Sequence, residues 1–321
     1  MAETVITPER SMTVPKRWTL HGLNSGGIFG FTYHGVRLLP RRVSYAIGHV
    51  GSAIVARAHN ESTDALVDNL RAIFPDASEQ TLRQQALKTY RSYTRDVIDF
   101  LHAIDADESA EDLFEYEESA SERIRRLHAK GHGVLLLSGH YGNWEAGGVL
   151  LSRCLNLPLT VVAMREASAT VNRIRHDVRR RLGIDTIEVR QSLDTPLQIR
   201  AALAQNRFVA LLVDRHLGRD RVPVSFLGRR ALFLRTPFVM AALTGAPLAV
   251  CSIERGRARR FLARLGPEID VARTGDRESA IQEAAQQVAD QLSDLVRTRP
   301  ECWYQFYRYW DAQDDDYAGL A

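Results

Sequence analysis

The spacing of apolar residues differs between the N-terminal part of the chain and the rest. In residues 62–74 and 78–101 apolar side chains recur every three or four positions, as in Leu66, Leu70 and Ile73, which predicts amphipathic helices. Further along the chain, short apolar runs alternate with stretches of helical spacing. The apolar runs predict strands at 134–138, 159–164, 186–189, 208–213, 248–252 and 261–265.

The stretches between these strands have the spacing of helices. They predict helices at 146–154, 169–182, 196–204, 236–243 and 278–298. Alternation of this kind is typical of an α/β fold, a mixed and mostly parallel sheet flanked by helices. We therefore predict an N-terminal helical region over residues 1–115, an α/β core over 116–310 and an acidic tail over 311–321.

Composition and the absence of certain motifs argue against several classes of function. Apolar residues make up 45% of the chain and charged residues 25%, which are the values of a globular protein. The three cysteines are far apart and have no Cys/His metal spacing, which argues against a zinc site and fits a reducing compartment. The chain also lacks a P-loop and a G-x-G-x-x-G motif, so the sequence gives no support to a nucleotide cofactor.

No stretch of the sequence reaches the ~18–20 apolar residues that a transmembrane helix needs. Residues 26–39 and 44–58 come partway, with aromatic and aliphatic residues beside arginines. Both stretches fit helices that lie on a membrane surface, and both also fit ordinary core helices. The sequence leaves these two interpretations open.

A histidine and a glutamate follow the first strand of the α/β part. His140 comes where the strand ends, and Glu145 follows five residues later. Gly139 and Gly142 permit a sharp turn, and Asn143 is suited to cap a helix that begins at the next residue. A histidine held by a carboxylate at a strand end is a general base for a hydroxyl nucleophile.

This motif and several other segments resemble the bacterial lipid A biosynthesis acyltransferases, a branch of the lysophospholipid and glycerol-phosphate acyltransferases. His140 to Glu145 matches their H-x-x-x-x-D/E motif. Five further segments match in the family's order, at residues 69–75, 164–183, 212–228, 244–247 and 300–310.

The resemblance implies a glycerol-3-phosphate acyltransferase-like fold and acyl transfer to an oxygen acceptor. The donor would be a thioester of acyl carrier protein or coenzyme A, a co-substrate, with no other cofactor and no metal. The acceptor would be a hydroxyl of a membrane glycolipid such as a lipid A precursor, at the cytoplasmic face of the inner membrane, with peripheral or monotopic attachment. His140 would remove the hydroxyl proton, and Glu145 would fix the tautomer of its ring. No nucleic-acid partner is predicted.

Other candidate site residues follow later strands. Asp214 ends a strongly apolar strand and is either a second partner of His140, a contact to the acceptor sugar, or a turn residue. Arg165 follows another strand, and Arg175 and Arg179 lie one turn apart on the next helix. These arginines fit phosphate binding, and equally an exposed helix face. Asn172 fits either a substrate contact or packing.

Three alternatives remain open from the sequence. The related phosphatidylinositol mannoside acyltransferases share the H-x-x-x-x-D/E pattern, and here the closing segment 307–310 lacks the histidine of the lipid A enzymes. A different acceptor lipid is therefore one alternative. The others are a thioesterase that delivers the acyl group to water, and a peripheral lipid-binding protein without catalysis.

Overall fold

The computed structural model describes residues 26–58, 60–104, 110–116, 118–190, 193–257 and 260–311. The first 25 residues of the predicted helical region, and residues 312–321 of the predicted tail, lie outside the described residues. Strands in the described part are β1 (Phe114–Tyr116), β2 (Val134–Ser138), β3 (Leu159–Ala163), β4 (Asp185–Glu188), β5 (Phe208–Leu212), β6 (Val222–Phe226), β7 (Arg229–Phe233), β8 (Leu248–Arg255) and β9 (Phe261–Ile269).

The helices follow the predicted pattern closely. They are α1 (Gly26–Leu38), α2 (Arg41–Arg57), α3 (Glu61–Arg71), α4 (Glu79–Ile104), α5 (Ala110–Leu113), α6 (Glu118–Ala129), α7 (Trp144–Val149), α8 (Ala169–Arg181), α9 (Asp194–Ala204), α10 (Thr236–Thr244) and α11 (Arg277–Thr298). A π-helical turn, Leu150–Cys154, continues α7, and a 3-10 turn, Pro300–Cys302, follows α11. None of the described helices is long and apolar enough to cross a bilayer.

Seven strands form one sheet in the order β1-β9-β8-β2-β5-β3-β4. All neighbouring pairs are parallel except β8 and β9, which are antiparallel. All five residues of β2 are buried, as a central strand covered on both faces requires. The predicted α/β fold, with a mostly parallel mixed sheet and an N-terminal helical region, is confirmed.

Three short strands were not predicted. β6 and β7 form a separate antiparallel hairpin whose turn is Leu227 and Gly228, with φ of 53° and 82°. Inward residues alternate along β6, but the run is short and the turn lacks the usual Asn-Gly or Asp-Gly pair. β1 has only three residues and pairs with β9, so the predicted boundary at residues 115 and 116 falls within a strand of the sheet.

The two faces of the sheet are covered by different helices. α9, α10 and α11 pack on one face in the largest apolar cluster. α6 and the π-helical turn pack on the other face, over β2 and β5. α3 and α4 form a third cluster with the aromatic residues Tyr304 and Phe306 of the closing segment. This packing places α4 and the closing segment beside the turn that follows β2.

Candidate active site

The imidazole of His140 and the carboxylate of Asp214 meet at the carboxyl edge of the sheet. β2 and β5 are parallel neighbours, with Ser138 paired to Leu212. Each strand therefore delivers a residue two positions beyond its end to the same level. His140 Nδ1 lies 2.7 Å from Asp214 Oδ1, and the His140 backbone N–H donates to Asp214 Oδ2 at 2.9 Å.

The turn that carries His140 depends on a glycine and a capping residue, as predicted. Gly142 has φ of 63°, and a Cβ there would lie 2.2 Å from the carbonyl oxygen of Ile253. Asn143 Oδ1 accepts a hydrogen bond from the backbone N–H of Ala146 and so caps α7. Both features direct the chain sharply from β2 into the helix and leave the His140 ring at the edge of the sheet.

Asp214 is fully buried and is held by the aromatic closing segment. Gln305 Nε2 donates to its Oδ2 at 2.7 Å, and Trp303 Nε1 donates to the same oxygen at 3.3 Å. The hydroxyl of Tyr309 donates to the backbone carbonyl of Asp214 at 2.9 Å. Sequence reasoning did not find these partners, because only the fold brings residues 303–309 beneath the end of β5.

The electrostatics fix the protonation states of the pair. Burial raises the pKa of Asp214, but His140 and Arg215 outweigh it and hold the pKa below its usual value. Burial lowers the pKa of His140, Arg215 lowers it further, and Asp214 opposes both. The imidazole is therefore neutral at neutral pH. Because an ionised carboxylate can only accept, Nδ1 carries the proton and Nε2 keeps its lone pair.

Glu145, which we expected to hold the imidazole, lies in an arginine cluster instead. Its Oε1 lies 2.9 Å from Arg179 Nη2 and 3.6 Å from Arg175 Nη1, and Arg175 also contacts Glu166 at 2.8 Å. Burial raises the pKa of Glu145, but Arg179 and Arg175 outweigh it and lower the pKa. The physical reason is that α7 begins at Trp144, so its first turn faces α8, while the position beside Nδ1 belongs to Asp214.

Two predicted substrate contacts lie outside the cavity beside the pair. Arg165 is exposed and is not among the residues that line this cavity. Asn172 Oδ1 accepts from the backbone N–H of Glu166 at 3.4 Å, so it packs beneath the loop after β3. Substrate binding by these two residues stays a prediction.

An apolar cavity of about 300 Å³ adjoins the histidine. It lies between the sheet and the segment of α6, α7 and the π-helical turn. Its polar lining groups include His140, Glu145, Arg175 and Arg179, while Trp144 stands edge-on to the His140 ring at 5.6 Å. Apolar lining residues are contributed by the strands and helices, among them Leu136, Leu150, Leu151, Leu155, Val161, Ile184, Ala210, Ile253 and Leu265.

Arg215 is a lining residue that sequence reasoning missed. Its Nε donates to Gln305 Oε1 at 3.0 Å, and its guanidinium lies 5.2 Å from the ring centre of Tyr307. It follows Asp214 directly, so its place after the apolar strand was the available signal. The positive charge beside His140 favours the neutral imidazole.

The fold and site together are those of an α/β enzyme with a histidine–carboxylate pair beside an apolar cavity. The sequence model of the bacterial lipid A biosynthesis acyltransferase family matches residues 10–312 of the chain. The chain belongs to this family, and the protein is an acyltransferase. The resemblance noted in the sequence is thereby confirmed.

Two curated relatives are phosphatidylinositol mannoside acyltransferases. The protein of Mycolicibacterium smegmatis is 26% identical over 311 residues, which are 95% of this chain and 97% of the relative. The protein of Mycobacterium tuberculosis strain H37Rv is 28% identical over 185 residues, which are 57% of this chain and 56% of that relative.

Proposed function

We propose that the protein transfers a fatty acyl group from a thioester, on acyl carrier protein or coenzyme A, to a hydroxyl of a membrane glycolipid. His140 is the general base. The observation that carries this proposal is the 2.7 Å contact between His140 Nδ1 and a fully buried carboxylate, beside an apolar cavity. A neutral imidazole held in one tautomer is ready to accept a proton at Nε2.

The proposed reaction has two steps. His140 Nε2 takes the acceptor hydroxyl proton as the oxygen attacks the thioester carbonyl carbon. The tetrahedral intermediate then collapses, the carbon–sulfur bond breaks, and the departing sulfur takes the proton from the imidazolium. Asp214 stabilises the imidazolium between these steps, and base catalysis of this kind contributes roughly 10²–10⁴ in rate.

The cavity and the arginines supply complementary binding. The apolar lining suits the hydrocarbon chain of the acyl group, whose burial is favourable by about 0.8 kcal/mol per methylene. Arg175 and Arg179 line the same cavity near His140, and their guanidinium groups suit the phosphates of a phospholipid acceptor or of the donor. Glu145 and Glu166 hold these guanidinium groups in place.

Among acceptors, we favour a mannosylated phosphatidylinositol over a lipid A precursor. The support is the function in the names of the relatives, together with the closing segment that lacks the histidine of the lipid A enzymes. With either acceptor we propose that the reaction takes place at a membrane, at the cytoplasmic face of the inner membrane.

The proposal is tested with purified full-length protein and two long-chain donors, acyl carrier protein thioester and coenzyme A thioester. Each is offered with phosphatidylinositol mannoside or with a lipid A precursor, and the lipid products are identified by mass spectrometry. We expect an acylated phosphatidylinositol mannoside. Release of free fatty acid at the same rate with and without acceptor would instead establish a hydrolase.

A further inference from the structure

Four aliphatic residues of the helix α2 lie on its outer side. Val43, Ile47, Val50 and Ile54 are 42%, 60%, 61% and 65% exposed. Their spacing of four, three and four residues places them on one side of the helix, where they form a continuous apolar stripe. We call these four residues the α2 stripe.

The opposite side of α2 carries mainly small residues and packs on the protein. Ser44, Ser52 and Ala56 are buried. Ser52 Oγ lies 3.1 Å from Thr94 Oγ1 on α4, and a Cβ at Gly48 would lie 2.6 Å from Thr94 Cγ2. A surface helix of a soluble protein has the reverse arrangement, with its apolar side against the core. The α2 stripe therefore serves an environment outside this chain's core.

The charge around the stripe indicates which environment it fits. Residues 26–58 contain four arginines, Arg37, Arg41, Arg42 and Arg57, and no aspartate or glutamate. Three of the four, all but Arg41, are exposed. Arginines beside an apolar helix face complement a surface that combines hydrocarbon with negative charge.

We propose that the α2 stripe docks on an anionic lipid bilayer. The four apolar side chains enter the boundary between headgroups and acyl chains, together with Leu38, which is 85% exposed at the end of α1. Arg42 and Arg57 contact lipid phosphates. Lipid binding itself does not depend on acyl transfer; only its consequence for the reaction rests on the proposed function.

The docking helix is firmly joined to the catalytic part. The hydroxyl of Tyr45 on α2 donates to Asp99 on α4, and Arg255 Nη1 at the end of β8 lies 2.6 Å from the same carboxylate. Another residue of α4, Tyr93, lines the apolar cavity beside His140. Docking through α2 therefore sets the orientation of this cavity relative to the bilayer.

Vesicle flotation of the full-length protein tests the proposal. Vesicles of phosphatidylcholine, with and without phosphatidylglycerol, are compared for the wild type, the double variant Ile47→Gln/Ile54→Gln and the control Leu243→Gln. Leu243 is 47% exposed at the end of α10, away from α2. We expect the double variant to bind about tenfold or more weakly, because two aliphatic side chains no longer enter the bilayer, and the control to bind as the wild type.

Two further variants test the roles of charge and of side-chain entry into the bilayer separately. Arg42→Gln/Arg57→Gln is expected to weaken binding only to vesicles with phosphatidylglycerol. Because the chain contains four other tryptophans, Ile54→Trp is expected to show a larger blue shift of total tryptophan emission on binding than the wild type. Undiminished flotation of the Ile47→Gln/Ile54→Gln protein, or a wild type that does not float, would overturn the proposal. So would light scattering that shows a stable dimer dissociated by the same double variant, since a second copy would then cover the stripe.

The outcome for docking is separable from that for catalysis. A His140→Ala protein is expected to float as the wild type does. If that variant keeps its turnover, the proposed function fails while docking stands. If the stripe variants float normally, docking fails whatever their turnover.

Discussion

At the scale of single residues, the site depends on which carboxylate reaches His140. The position of His140 after a strand, the glycine turn and the Asn143 cap were all predictable from local sequence. Local sequence did not predict which of Glu145 and Asp214 contacts the imidazole. That choice depends on the pairing of β5 with β2, which brings together His140 and Asp214, 74 residues apart in the chain. Local spacing favoured Glu145, and sheet register decided for Asp214.

Asp214→Asn is expected to lower kcat strongly and to leave KM nearly unchanged. The amide can donate to Nδ1 and so select the wrong tautomer, a change that costs about 10⁴ in a serine-protease triad. Steady-state kinetics with acyl donor and glycolipid measure this. A kcat close to that of the wild type would show that Asp214 does not act through the imidazole.

Arg179→Ala is expected to raise KM about tenfold with a smaller change in kcat, since a charge-assisted contact near the cavity is lost. Arg173→Ala, an exposed position on the same helix α8, is the matched control and should behave as the wild type. Equal KM values for all three proteins would remove Arg179 from the binding site.

At the scale of elements, the long helices and buried strands were predicted within a few residues, and the irregular pieces were not. The sequence predicts an ordinary α-helix where the structure has the π-helical turn Leu150–Cys154. A single π-helical turn changes the side-chain spacing of a helix only locally. The sequence identifies the closing segment, residues 300–310, by its resemblance to the family and does not predict a contact with Asp214. Its Trp303 and Gln305 are in fact the partners that hold Asp214, which only the tertiary fold reveals.

The turn after β2 gives an element-scale prediction. Gly142→Ala combines a positive φ with a Cβ 2.2 Å from the Ile253 carbonyl oxygen, so backbone must move. Gly131→Ala is the control, with φ of 78° and no atom within 4 Å. Urea unfolding should show a loss of about 1–2 kcal/mol for the control and a clearly larger loss for Gly142→Ala. Equal losses would contradict the close contact.

At the scale of the whole molecule, alternation of strands and helices predicted the α/β class but not the order of the strands. The order places β2 and β5 at the centre and an antiparallel β9 beyond β8, and it arises from contacts far apart in sequence. The N-terminal helices were assigned correctly, while their relation to the sheet was not predictable. α4 packs beside the turn that carries His140, where Asn143 Nδ2 donates to the backbone carbonyl of Asp96 at 2.8 Å.

Asp96 couples the stability of the whole fold to pH. Burial raises its pKa to about 7, while the hydrogen bond from Tyr304 opposes the shift. A carboxyl with a raised folded-state pKa adds stability that is complete below its unfolded pKa and is lost as pH rises through about 7. The loss amounts to at most about 4 kcal/mol.

Asp96→Asn should therefore gain stability relative to the wild type as pH rises from 5 to 8, because the amide does not ionise. Urea unfolding at both values measures the difference, with the exposed Asp290→Asn as the control. If the free energies of unfolding of Asp96→Asn and the wild type differ by the same amount at both pH values, Asp96 does not titrate in this range.

Proton removal by His140 is tested by the rate of lipid acylation by His140→Ala at saturating donor and acceptor, with thermal unfolding measured on the same protein. We expect the rate of transfer to fall by roughly 10²–10⁴ or more while the unfolding temperature stays near that of the wild type. Turnover close to wild type in a folded His140→Ala protein would contradict this role of His140.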